Sequence, residues 1–155
     1  MLASLDQSAF SQWLLGSNSI WAYPTILTLH TFGMMVLVGA AAMIDLRLLG
    51  FGRGIPLGSI RTLFNVIWAG LCVNALTGTM LFVADASKRG TSVIFLVKMA
   101  LIVIGVVTIV MIKRKLYEGN ADPIAVSGTV KLLAFTSLVV WSAAVSAGRL
   151  LAYVA

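Results

Sequence analysis

Four long apolar runs separated by short loops constrain this 155-residue chain more than any other feature. Each run has about 20 residues or more, the length that an α-helix needs to cross the hydrocarbon core of a bilayer. The chain is 60% apolar and 10% charged, whereas an average soluble domain is roughly 45–50% apolar and about 25% charged. This excludes a water-soluble domain. We expect an all-α fold, an integral membrane four-helix transmembrane bundle.

The polar residues between the runs set the predicted boundaries. Spans are expected at about 25–49, 62–84, 93–112 and 129–154, within a single transmembrane domain over residues 1–155. In residues 4–16, apolar side chains recur at helical spacing with polar ones between them. This pattern predicts an N-terminal amphipathic helix that lies in the membrane interface.

The distribution of positive charge predicts the orientation. Seven of the eleven basic residues flank the first and third loops, namely Arg47, Arg53, Arg61, Lys113, Arg114, Lys115 and Lys131. Because cytoplasmic loops carry an excess of Lys and Arg, we expect a bacterial inner-membrane protein with both termini in the periplasm. The basic residues form no face with interleaved aromatics, so we expect no nucleic-acid partner.

One ionisable residue near the outer end of each span gives the strongest indication of a site. His30, Asp85, Lys98 and Arg149 all lie within about two turns of that end. An ionisable side chain in hydrocarbon costs roughly 2.5–3.5 kcal/mol even on lenient scales, so such groups usually face a bundle interior, a partner or a cavity. We expect Lys98 and Arg149 to point inward. Because Asp85 can neutralise only one of them, a positive charge is left for an anion such as a carboxylate or a haem propionate. In the alternative, Asp85 forms an ion pair with Lys98, Lys98 or Arg149 merely extends outward to lipid phosphates, and His30 is a satisfied interior residue.

His30 is the single histidine and the candidate cofactor ligand or metal ligand. Gly33 lies one turn further along the same face, where a flat ring could approach the backbone. Imidazole is a usual axial ligand of haem b in membranes, and Lys98 and Arg149 would then face its propionates. The second ligand would be Met80 at similar depth, His30 of a second copy, or none.

The cytoplasmic end and the packing faces have structural interpretations. Asp45 is expected to pair with Arg61, or with Lys131, as a clamp between helices. Cys72, in mid-span, is expected to be a buried and inert thiol. Small residues at four-residue spacing predict close helix packing at Gly70, Asn74, Gly78, Ala144 and Gly148.

Several motifs can be considered together because they cover most of the chain. The sequence has Tyr23-Pro24, Leu29-His30, Gly33-Met34, Asp45-Leu46-Arg47-Leu48-Leu49-Gly50, Thr77-Gly78, Ala84-Asp85-Ala86 and Phe95-Leu96-Val97-Lys98. In these it resembles an uncharacterised family of small bacterial four-span inner-membrane proteins. More distantly it is similar to membrane proteins of the copper-resistance-D and cytochrome-b types. The second resemblance implies inward histidines that carry haem or metal, whereas this chain has one histidine.

Three functions follow from these observations. The sequence has no nucleophile–base arrangement and no phosphate-binding loop, so we do not expect an enzyme on its own. The leading hypothesis is a non-catalytic membrane subunit of a redox assembly, with a haem b or quinone site at His30. The alternative is a structural or assembly protein that forms a homo-oligomer or packs on a larger complex. The third is a small transporter.

Overall fold

The described part of the chain is a bundle of α-helices. In a computed structural model, residues 7–16, 21–117 and 126–154 are described, and they contain no β-strand. The helices are α1 (Ala9–Gly16), α2 (Ala22–Leu49), α3 (Arg61–Ala84), α4 (Ala86–Gly90), α5 (Val93–Leu116) and α6 (Gly128–Val154). A 3₁₀ turn at Leu57–Ile60 leads into α3. Helices α2, α3, α5 and α6 are long and apolar enough to cross a bilayer, so this is a multi-pass membrane protein with the predicted all-α fold.

The ends of the long helices lie near the predicted boundaries, with one clear extension. Helix α5 continues past Ile112 through Lys113, Arg114 and Lys115 to Leu116. Three cations suit this position because the C-terminal end of a helix carries partial negative charge. Hydropathy predicted the end of the apolar run at about residue 112, whereas the helix itself continues for one more turn. Residues 4–6 of the predicted amphipathic helix lie outside the described residues.

The long helices form two hairpins, α2 with α3 and α5 with α6, and contact between α2 and α6 joins the hairpins. In the first hairpin, Gly50 ends α2 in the left-handed conformation (φ 108°) that favours glycine. The Nε–H of Arg47 donates to the carbonyl of Ile55 at 2.7 Å across the loop. The loop is thereby held against the end of α2.

Glycines set the close approach of helices within each hairpin. A Cβ on Gly70 of α3 would lie 2.9 Å from the backbone nitrogen of Leu37 in α2. In the second hairpin, a Cβ on Gly105 would lie 2.8 Å from Cε2 of the Trp141 ring. Side chains larger than hydrogen do not fit at such distances without movement. The prediction that Gly70 belongs to a packing face is confirmed.

Helices α3 and α5 meet through aromatic side chains at both ends of the bundle. Phe82 and Phe95 stack with ring centroids 5.1 Å apart, and Phe64 meets Tyr117 edge-on at 6.1 Å. The Tyr117 hydroxyl donates to the carbonyl of Leu57 at 3.3 Å. Burial raises the pKa of Tyr117 above its ordinary value, and the nearby Arg61 charge acts in the opposite direction.

The short helix α1 is fastened to the end of α3. The buried Ser11 hydroxyl donates to the carbonyl of Ala84 at 3.1 Å. Trp13, two residues further on, is 57% exposed. An exposed Trp on a short helix beside the end of a span is typical of the membrane interface.

Candidate functional site

His30 lies half-buried where α2 crosses α3. Its Nδ1 is 3.0 Å from the Thr77 hydroxyl oxygen. Its Cε1 lies 3.1 Å from the place that a Cβ on Gly78 would occupy. The glycine thus leaves the space that the imidazole fills, and α3 contacts the ring along its Nδ1–Cε1 edge.

The hydrogen bond of Thr77 favours one tautomer of the neutral imidazole. A threonine hydroxyl has one proton, and the Thr77 hydroxyl donates it to the carbonyl of Val73 at 2.7 Å. The same oxygen then accepts from His30, which favours the tautomer with the ring proton on Nδ1. The other ring nitrogen, Nε2, then has the basic lone pair with which an imidazole accepts a hydrogen bond or binds a metal.

Gly33 and Met80 are the other two residues that the sequence places with His30 in a candidate cofactor site. A Cβ on Gly33 would lie 3.2 Å from Cγ1 of Val73 and 3.3 Å from the backbone nitrogen of Asn74. Its face is therefore filled by α3. Met80 is 39% exposed. At about 100° per residue it lies about 60° round α3 from Thr77 and about 160° from Gly78. Met80 as a ligand of a cofactor at His30 stays a prediction.

Lys98 is half-buried between α5 and α6. Its Cε and Nζ both lie 3.5 Å from where a Cβ on Gly148 would be. The side chain therefore packs over the backbone of α6. Like His30, Lys98 rests on a glycine of the neighbouring helix in its own hairpin.

Arg149 differs from the sequence-based expectation of an inward cation. It is exposed, and its guanidinium lies 5.7 Å from the centre of the Tyr153 ring. Ser142 and Ser146, which share its face, are also exposed and donate to carbonyls of their own helix. Gly148 and Ala144 are the residues that turn toward the bundle, so the face with the serines and Arg149 is on the outside.

Asp85 follows α3 as its C-terminal capping residue and is half-buried. Its backbone N–H donates to the carbonyl of Phe82 at 3.2 Å. It therefore lies at the same end of the bundle as His30 and Lys98. The Asp85–Lys98 ion pair stays a prediction.

The expected Asp45–Arg61 ion pair does not form. Asp45 is fully buried, and neither of its carboxyl oxygens has a hydrogen-bond partner within the described residues. Arg61 begins α3 on the surface and lies 5.6 Å from the centre of the Tyr117 ring. Lys131, the alternative partner, is exposed. The two charges are kept apart because Asp45 turns into the core while the cations stay at its rim.

With this geometry in place, comparison with known proteins identifies a family. The model of a family of unknown function, DUF6644, matches residues 15–154, which covers all four long helices. The chain belongs to the DUF6644 family. No curated protein and no solved structure matches it. Membership agrees with the resemblance to an uncharacterised family and adds no activity.

Three buried polar residues of this DUF6644 protein were not singled out as site residues from the sequence. Thr77 binds His30, and the buried Ser137 hydroxyl of α6 lies beside Asp45. By distance and angle, neither this hydroxyl nor the buried Nε1 of Trp141 has a hydrogen-bond partner among the described residues. Ser137 and Trp141 lie at intervals of three and four residues between Ala134 and Ala144, so the sequence places them on the same helix face. This spacing does not predict which side chain of a neighbouring helix each of them contacts.

The described part of this DUF6644 chain holds no group of three His, Cys, Asp or Glu side chains that could hold a metal ion. A transition-metal site built from protein side chains uses three or four such ligands. His30 as a metal ligand stays a prediction.

Proposed function

We propose that the protein is a non-catalytic membrane subunit of a redox assembly, in which His30 contacts a quinol or a haem b. The observation that carries the proposal is the chain from His30 Nδ1–H through the Thr77 hydroxyl to the Val73 carbonyl. An outer hydrogen bond of this kind orients an imidazole and selects the nitrogen that carries the proton. Purely structural packing does not require an oriented base within a span.

The tautomer favours the reduced quinol over the oxidised quinone. Nε2 of the neutral ring accepts a hydrogen bond, and a quinol hydroxyl donates one. A quinone carbonyl can only accept, so it would need a protonated imidazole. Nε2 also suits haem iron. The second axial ligand would then be Met80, His30 of a second copy, or none.

The proposal includes a location and partners. Arg47, Arg61, Lys113 and Lys131 lie at one end of the bundle, and we call this the basic end. If the basic end is cytoplasmic, as the excess of positive charge favours, His30 is in the periplasmic half of a bacterial inner membrane. A non-catalytic subunit needs a partner that carries the other redox groups, either a larger membrane complex or further copies of this chain.

The test is whether the purified protein retains a quinol or haem through His30. The protein is extracted from its native membrane in mild detergent, its absorption spectrum is recorded, and bound quinone is measured after solvent extraction. His30→Gln and Thr77→Val should lose the ligand. Thr79→Val is the matched control, because the exposed Thr79 hydroxyl makes the same bond to its own helix, to Ala75. Ligand retained in His30→Gln, or absent from the wild type, would contradict the proposal.

The assembly hypothesis has one specific observation in its favour. Only 17% of the most apolar window of α5 is buried inside the bundle. Such a helix offers most of its surface to lipid or to another protein. If the protein has only a structural or assembly role, His30→Gln should leave the native mass of the assembly and its partners unchanged. Bulky residues at Gly70 should prevent the assembly from forming.

A further inference from the structure

Asp45 is a carboxyl group enclosed in the apolar part of the bundle near the basic end. It lies four residues, or about 6 Å, before the end of α2. The residue has no exposed surface, and both oxygens are without a hydrogen-bond partner in the described chain. Ser137 of α6, also with no exposed surface and an unpartnered hydroxyl, faces it. Two unpartnered polar groups thus meet across the α2–α6 contact that joins the hairpins.

The cations near this end are all engaged elsewhere or exposed. Arg47 of α2 donates to loop carbonyls, and Arg61 of α3 lies over Tyr117. On α5, Nζ of Lys113 is 5.8 Å from the centre of the Phe64 ring. The other charged groups of α5 and α6 at this end are exposed: Arg114, Lys115 and Lys131. No described cation is therefore within ion-pairing distance of Asp45.

Three states of such a carboxyl can be compared. An ionised carboxylate without a partner in an apolar interior has a desolvation cost so large that the group takes up a proton instead. A hard metal cation would be bound by about six or more oxygens, whereas the site offers one carboxyl and one hydroxyl. A proton needs only the carboxyl, and the Ser137 hydroxyl can accept a hydrogen bond from the resulting acid.

We propose that Asp45 and Ser137 form a buried proton-binding site that exchanges its proton with the basic side of the membrane. The proton is bound by a carboxyl oxygen of Asp45, and the adjacent hydroxyl stabilises the acid. Release of the proton requires water or a base to reach the α2–α6 contact, so exchange accompanies opening of the bundle at this end. The inference does not depend on a redox role for His30.

Infrared spectroscopy of the folded protein in lipid nanodiscs tests this site. At neutral pH we expect the carbonyl stretch of a protonated carboxylic acid in the wild type and its loss in Asp45→Asn. Asp85→Asn is the matched control, because it removes a carboxyl at the opposite end and should keep the band. Ser137→Ala should shift the frequency of the band, because it changes the hydrogen bonding of the Asp45 acid. This shift assigns the band to Asp45 even if Asp45→Asn does not fold.

Transfer of the wild type into D₂O tests exchange. We expect the band to move to lower frequency while the protein stays folded. No acid band at neutral pH, or a band that survives in Asp45→Asn, would overturn the proton-binding site. A band that keeps its frequency in D₂O would show a sealed acid with a structural role only and would overturn the exchange.

Discussion

At the residue scale, glycines decide which side chains meet. Gly70 brings the backbones of α2 and α3 together, Gly78 makes room for His30, and Gly148 does so for Lys98. By contrast, no atom of another helix lies within 4 Å of the place where a Cβ on Gly39 would be. Glycines with similar sequence surroundings therefore have different roles, and only some are required for packing.

Gly70→Ala should destabilise the bundle by about 1–3 kcal/mol, the usual effect of overpacking. The new methyl group would lie 2.9 Å from the Leu37 backbone nitrogen, and a backbone atom cannot turn aside as a flexible side chain can. The free energy of unfolding in detergent measures this. Gly39→Ala is the matched control and should stay within about 0.5 kcal/mol of wild type. Equal effects of the two changes would contradict the packing described.

The tautomer of His30 gives a second prediction at this scale. Nitrogen NMR of ring-labelled protein at high pH should show the neutral ring with its proton on Nδ1, since the Thr77 hydroxyl donates to Val73 and accepts from His30. Thr77→Ser should keep this tautomer, because the serine hydroxyl can make both bonds. Thr77→Val should shift the population toward the Nε2–H form. A predominant Nε2–H form in the wild type would contradict the assignment.

At the scale of helices, hydropathy predicts where each span lies but not how it is rotated. Four apolar runs sufficed for the fold, since a bilayer requires continuous helices of this length. Rotation depends on how partner surfaces fit. For this reason Arg149, expected to face inward, is exposed, and Cys72, expected to be buried, is exposed as well. His30 and Gly70 were recognisable because a lone histidine and spaced glycines are strong signals; the Thr77 contact and the isolation of Asp45 required the structure.

Tyr117 joins the end of α5 to the 3₁₀ turn before α3, and this contact should depend on pH. Its pKa is raised in the folded state, so the stabilisation is present below the ordinary tyrosine pKa of about 10 and is lost as the pH rises through the folded-state value. Tyr117→Phe should therefore lose less stability than wild type between neutral pH and pH about 11. Denaturant unfolding at both pH values measures the difference. An equal loss in the two proteins would exclude this contribution.

At the scale of the whole molecule, two hairpins meet along α2 and α6. Because each hairpin buries its own glycine-mediated contact, we expect that residues 1–90 and 91–155 can be produced as separate chains that associate in the membrane. Purification through a tag on either fragment measures their association. Gly105→Leu in the second fragment is the control, since it displaces Trp141 and should weaken the complex. Fragments that fail to associate would contradict the independence of the hairpins.

The pairing of neighbours along the chain has a consequence for biogenesis. Since α2 finds its most extensive contact in α3, the first two spans can assemble in the lipid while the ribosome is still translating the second half. The emerging α6 then docks on a surface that already exists. The order of synthesis thereby becomes the order of folding, and little of the chain has to wait unpaired for a distant partner.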